Sequence, residues 1–380
     1  MSVLIQEQMK IDTLNQRSEA VIELLKDSYA FLFRAASKRG HWNEIRCTAL
    51  AAMCLQLRED GSSRWLNAIK TWMKNQQSTD VSCCGSWGEE VWDSAMCILA
   101  LKELEVSSRD PIVDQGLTWI ASLFSVNGRN NWHDEPWETS WALIAFLRAG
   151  RIPPNVDIAA AMKWLSSLQD DTGKIIAPHY TAYFLLINLF SRKINLSDET
   201  RKELQDTAEK CQAYLVTSLR ECEPNRLWTG EAWANGQILW SLCLPSLFPI
   251  SEDGLLLKTV SWFEQNQDAE GNWSDIEDTA SATLGLAALS KNLLRYEAEQ
   301  LNMHRDVDRE FENRLRKAVP VPVLSIKKAF FERDKDTGYL AFNVRESTAR
   351  IVLAICTFVG VGLLGWVADV LQIIQTWLKK

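Results

Sequence analysis

Residues 262–289 read WFEQNQDAEGNWSDIEDTASATLGLAAL, and the fold follows from how this stretch divides. The aromatic pair Trp262-Phe263 ends one apolar segment. A polar turn carrying Gln267, Gly271 and Trp273 comes next, and from Asp278 onward the chain is small and apolar on nearly every face. That pattern predicts a helix with one apolar stripe, a turn, and a second helix buried all round.

The unit recurs. Trp42, Trp87, Trp132, Trp228 and Trp273 stand 45, 45, 96 and 45 residues apart, and the long gap is two periods. A second series, Trp72, Trp119, Trp164, Tyr214 and Trp262, steps by 47, 45, 50 and 48. Copy two repeats the marker residues as Trp72-Met73, Gln77, Gly85-Ser86-Trp87 and Trp92-Asp93-Ser94; copy four as Trp164-Leu165, Gln169 and Gly173, with Ile175 near the missing Trp. Copies three and five keep both aromatic markers and the second helix, at 137–147 and 233–242, and the degenerate first copy keeps Trp42 followed by 48–52. Second helices without a polar face belong inside; amphipathic first helices, such as 65–74, belong outside. Helix pairs repeated in this way stack into a solenoid or close into a ring.

Gln267-x3-Gly271-x-Trp273, echoed at Gln77 and Gln169, resembles the QW motif of the terpenoid cyclase and protein prenyltransferase superfamily. The resemblance covers roughly residues 19–290. It implies an all-α fold, an α/α toroid of about six helix pairs of 45–50 residues, in which the turn Gln and Trp tie neighbouring helices together. That structural role falls to Gln267 and Trp273, with Gln77, Trp87, Trp132 and Trp228 as their counterparts.

Asp275-Ile276-Glu277-Asp278-Thr279-Ala280 is similar to the D-x-D-D-T-A signature of class II terpene and squalene cyclases. In that family the middle carboxylic acid protonates an alkene or epoxide inside a dry, aromatic-lined cavity that stabilises the carbocation. Here Glu277 takes the middle place, one methylene longer. Those cyclases set the acid between two toroids, whereas this chain has length for one. The resemblance therefore implies Glu277, Asp278 and Asp275 as catalytic candidates. Trp92, Trp137, Trp141, Trp233 and Trp240, all on second helices, are candidates to line a cavity for an isoprenoid or other apolar ligand, or simply core. Acids also recur at Glu89, Glu90 and Asp93 and at Asp134, Glu135 and Glu138, so helix capping competes with catalysis.

Zinc-using relatives on the ring fold hold the metal with Cys, His and Asp. The four histidines, His41, His133, His179 and His304, and the Cys83-Cys84 pair form no such constellation. No metal or cofactor is expected. The net charge of −8 excludes a nucleic-acid binder, whose affinity rests on basic side chains.

Charge divides the chain: residues 1–300 carry a net −12 and 301–380 a net +4. Residues 351–368, IVLAICTFVGVGLLGWVA, hold no formal charge over 18 positions, with Arg350 before them and Lys379-Lys380 at the end. That length spans roughly 27 Å as a helix, nearly a bilayer, and is read as a transmembrane anchor with a short tail over 351–380. A charged helix and linker are expected over 291–350, an extension over 1–18, and no leader directs the toroid out of the cytoplasm. Nine scattered cysteines fit a reducing compartment.

The functional expectation is a membrane-anchored, cyclase-like toroid that binds a ligand or partner without complete cyclase chemistry. Its partners would be membrane lipid, an apolar or isoprenoid ligand, and a protein partner or a second copy. The alternatives are a class II cyclase-like enzyme on a polyene and a zinc-dependent prenyl- or group-transferase.

Overall fold

A computed structural model describes residues 2–37, 41–42, 44–57, 64–125, 130–301 and 306–319, the side chains of 2–14 and of Ser125 excepted. All of them lie in the compact unit Met1–Leu324. The helices are α1 (Ser2–Ala35), α2 (Ile45–Gln56), α3 (Arg64–Gln76), α4 (Val91–Glu103), α5 (Pro111–Ser122), α6 (Pro136–Ala149), α7 (Ile158–Ser167), α8 (Pro178–Ser191), α9 (Asp198–Glu221), α10 (Ala232–Cys243), α11 (Asp253–Asn266), α12 (Ile276–Gln300) and α13 (Val307–Ala318). A two-residue ladder pairs Phe124 with Trp132.

Even-numbered helices α2 to α12 are the inner layer, and odd-numbered α1 to α11 the outer one. Each inner helix packs on the next, and α12 packs back on α2, so the ring is closed. The inner helices are buried almost throughout, as their lack of a polar face requires.

Three polar devices repeat and explain the spacing. The turn tryptophans send their indole N–H to the end of the preceding outer helix: Trp42 to Leu32 O, Trp87 to Met73 O, Trp132 to Ile120 O, Trp228 to Leu215 O and Trp273 to Phe263 O, at 2.7–3.0 Å. A side-chain oxygen in the first turn of each inner helix accepts a backbone N–H from the connecting segment just before that helix. Thr48, Ser94, Thr139, Thr181 and Thr279 take it from Trp42, Trp87, Trp132, Ile175 and Trp273, and Asn235 takes it from Thr229. Thr279 therefore belongs to the repeat rather than to any chemistry peculiar to its motif.

The third device is the glutamine amide. Gln77, Gln169 and Gln267 each donate to the glycine carbonyl of their own turn and to the next outer helix, at Ile112, Thr207 and Leu24 respectively. The last of these bonds runs from copy six to α1 and closes the ring. Gly271 must be glycine twice over: its φ is +86°, and a Cβ would lie 2.4 Å from the Asp27 carbonyl oxygen.

The last repeat outgrows its expected boundary. α12 continues to Gln300, and α13, within the stretch expected to hold a charged helix, packs on α12 and α1. In α13 Phe311 and Leu315 are fully buried, and Arg314 reaches Ser18 Oγ at 3.2 Å. α1 likewise begins at Ser2, inside the stretch read as an extension. No helix among the described residues is long and apolar enough to cross a membrane. The span expected at 351–368 lies outside the described residues and takes no support from this fold.

Candidate functional site

The inner helices all start at one end of the ring, so their first turns converge on a single mouth. The second helical residue of α2, α4, α6, α8, α10 and α12 is Arg46, Trp92, Trp137, His179, Trp233 and Glu277 in turn. Five contacts link these six in a chain from Glu277 through Arg46 to Trp233. Arg46 lies 4.6 Å over the Trp92 ring, and ring centroids are 5.3 Å apart for Trp92–Trp137, 5.8 Å for Trp137–His179 and 5.2 Å for His179–Trp233. Arg46 Nε donates to Glu277 Oε2 at 2.8 Å. One helical turn deeper, Leu50, Met96, Trp141, Tyr183, Gln237 and Ser281 are all buried. Tyr183 donates its hydroxyl to Gln237, and Gln237 Nε2 approaches Ser281 Oγ at 3.3 Å. Layers of side chains thus fill the axis.

Carboxylates gather on the α12 side of the mouth. Asp275 is the helix N-cap and accepts from Asp278 N–H at 2.9 Å, where it offsets an unpaired donor at the positive end of the helix. Asp278 accepts from the Trp233 N–H at 3.0 Å, so it satisfies an orphan donor on the neighbouring helix rather than on its own. Capping does not account for the other acids: Glu44, Glu90, Glu135 and Glu231 hold N-cap positions and make no side-chain cap bond.

Burial raises the pKa of Asp278 to about 6 against the Trp233 donor, and that of Asp93 to about 6 against Arg46. Asp93 Oδ1 is buried without a hydrogen-bond partner among the described residues. Glu277 is also raised by burial, and Arg46 opposes the rise. His179 moves the other way: burial lowers it to about 4, so its imidazole is neutral near pH 7, and its buried Nδ1 has no partner among the described residues. An open pocket of about 530 Å³ lies beside this cluster, lined by Glu231, Trp233, Trp262, Trp273, Glu277 and Asp278.

The donor chemistry argues against a metal. Carboxylate oxygens of Glu44 and Glu277 and the Cys47 sulfur lie within 4.8 Å of one another. Arg46 ion-pairs with both glutamates, at 3.1 and 2.8 Å, and already supplies the cation they attract. Burial pushes the Cys47 thiol up to about 12, away from the thiolate a metal needs. His133 pairs with Glu138 at 2.5 Å.

Of the sequence candidates, Glu277, Asp278, Trp92, Trp137 and Trp233 meet at the mouth. Asp275 caps its helix there, while Trp141 and Trp240 are buried in the inner layer. Arg46 was not legible as a candidate because it stands in the degenerate first copy. Aligning the first-turn hydroxyls of the repeats would have placed it at the position equivalent to Glu277, on the neighbouring inner helix of the closed ring.

No family model and no curated relative matches the chain. Solved structures do. The chain is similar to type II terpene cyclase MstE from Scytonema, as a variant in complex with geranylgeranyl dihydroxybenzoate as substrate, with a TM-score of 0.53, 13% identity and coverage of 74% of this chain and 99% of that one. It is similar to an apo variant at a TM-score of 0.52 and to a variant holding merosterolic acid A as product at 0.51, with the same identity and coverage. The fold is all-helical and terpenoid cyclase-like.

Proposed function

We propose that this chain is a class II cyclase-like protein that takes an isoprenoid or other polyene at the mouth of its ring and protonates it there. The observation that carries the reading is the juxtaposition of Asp278, Glu277 and Asp93, carboxyls with raised proton affinity, with the aromatic wall of Trp233, Trp137 and Trp92. A carboxylic acid kept partly protonated at neutral pH is what alkene protonation needs, and π-faces beside it favour the cation that results. The chain's single toroid is no obstacle, since the alignment takes in 99% of a type II terpene cyclase chain.

A second reading, a ligand- or partner-binding effector without chemistry, is favoured by two observations: the side-chain layers that fill the axis, and the Arg46–Glu277 ion pair. Under either reading we take residues 351–368 as the membrane anchor, which would hold the toroid at the cytoplasmic face where apolar ligands partition.

Native mass spectrometry of the full-length protein, purified from its own host in mild detergent, tests the enzyme reading. A co-purifying isoprenoid mass, lost on Trp233→Ala, supports it. An empty ring bound to a protein partner supports the effector instead.

A further inference from the structure

We propose that Asp278, rather than the middle-position Glu277, carries the transferable proton at this mouth, and that Arg46 sets the assignment by holding Glu277 as a carboxylate. The inference deepens the proposed enzyme reading and, in its chemical step, rests on it.

The geometry separates the two acids. Glu277 Oε2 accepts a charge-assisted bond from Arg46 Nε at 2.8 Å, and the guanidinium is fixed from its other sides by Glu44 at 3.1 Å and by the Trp92 face. A half-buried carboxylate clasped this way is stabilised in its ionised form. Among the described residues Asp278 has no such cation; it accepts one neutral donor, the Trp233 backbone N–H at 3.0 Å. With Glu277 ionised beside it, and Asp275 and Glu231 flanking it, like-charge repulsion favours a proton on Asp278.

Backbone packing fixes this arrangement. α10 and α12 cross at Gly236 and Gly285, where an added Cβ would lie 2.3 Å from Ser281 O and 2.4 Å from Gly236 O respectively. The Trp233 amide is therefore held against Asp278, whose carboxyl opens on the pocket with Trp233, Trp262 and Trp273. Burial raises both acids, but the guanidinium restrains only Glu277.

The step balances. The O–H bond of Asp278 breaks as the π pair of a terminal alkene forms a C–H bond, leaving an aspartate and a carbocation. The carbocation is attacked by the next alkene, and loss of a proton from carbon at the end of the cascade restores the acid.

The test is a carboxyl-¹³C NMR titration of the full chain, labelled in Asp and Glu side chains, between about pH 4 and pH 8. Asp278→Asn and Glu277→Gln assign the two resonances. The groups facing them are Asp275, Glu231 and Glu44 at the N-caps of α12, α10 and α2, Arg46 on α2, and Asp93 on α4. The expected result is that Asp278 titrates at higher pH than Glu277. Arg46→Met should then raise the Glu277 midpoint and lower that of Asp278, with Arg46→Lys largely restoring both. A Glu277 midpoint at or above that of Asp278 in the unmodified chain overturns the inference. So do midpoints that Arg46→Met leaves unmoved.

Product assays with a geranylgeranyl arene as probe give a second arm. Asp278→Asn should cost about 100-fold or more in rate and Glu277→Gln less than about tenfold, and the reverse order overturns the assignment. If the unmodified chain forms no product, the enzyme reading falls while the titration still decides where the proton sits.

Discussion

Arg46 and Glu277 stand 231 positions apart in sequence and 2.8 Å apart in space, joining the first inner helix of the ring to the last at the rim of its mouth. The same seam is closed on its outer side by Gln267, whose amide reaches the Leu24 carbonyl at 3.2 Å, and inside by Cys54 Sγ against Ala280 O at 3.1 Å. Closure is thus a set of local bonds between the first and last copies, and each can be removed separately.

Gln267→Ala should destabilise the ring by about 1–2 kcal/mol, because it strips a donor from two carbonyls, at Leu24 and Gly271, at once. The comparable internal change, Gln77→Ala, should cost a similar amount. Chemical denaturation of each variant measures this. If Gln267→Ala is neutral while Gln77→Ala is not, the glutamine bond at the closing seam contributes nothing to stability.

Trp273→Phe keeps a buried aromatic ring, though a smaller one, and deletes the N–H that satisfies Phe263 O at 2.8 Å. About 1–3 kcal/mol should be lost from the orphaned carbonyl, on top of the cavity the smaller ring leaves. Trp87→Phe should behave alike through Met73 O, since the two positions are equivalent in the repeat.

Stability should fall as pH rises from about 4 toward 6. Asp93 and Asp278 have folded-state pKa values raised to about 6 from an ordinary 3.8. In that window the folded chain therefore binds more protons than the unfolded one, and the slope of unfolding free energy against pH is negative. Thermal melts across the range should show the decline, and Asp93→Asn and Asp278→Asn should each flatten it. A stability that climbs through this window in the unmodified chain, or a slope that neither variant changes, contradicts the burial of these acids.

His179 should remain neutral from pH 5 upward, because burial lowers it to about 4 and no carboxylate touches it among the described contacts. Replacing it by Phe removes a buried nitrogen that has no partner while keeping a ring against Trp137 and Trp233. The variant should fold with stability equal to or above that of the parent, as a melting curve would show.

Much of this architecture was readable from the chain because its signals are local. The 45-residue step of the tryptophans is the length of one helix pair, and each indole bonds within its own pair, so sequence spacing reports it directly. The Gln-Gly turns are legible for the same reason. The mouth is less so: beside the three tryptophans Trp92, Trp137 and Trp233 stand Arg46, His179 and Glu277, of unrelated chemistry, and only their common place as the second residue of an inner helix unites the six. Nor does sequence say that the layer beneath them fills the axis, since Trp141 and Tyr183 would suit a cavity wall equally well. The roles of Asp275 and Asp278 also needed coordinates, because one caps its own helix and the other a neighbour.

The most direct test of the central claim is incubation of the full-length protein with a geranylgeranyl arene in deuterated water, followed by mass spectrometry of the recovered lipid. The account predicts a cyclised isomer carrying one deuterium on carbon, formed by the unmodified chain and lost with Asp278→Asn. Recovery of unlabelled, uncyclised substrate from a ring shown to be folded and to bind the probe would contradict it.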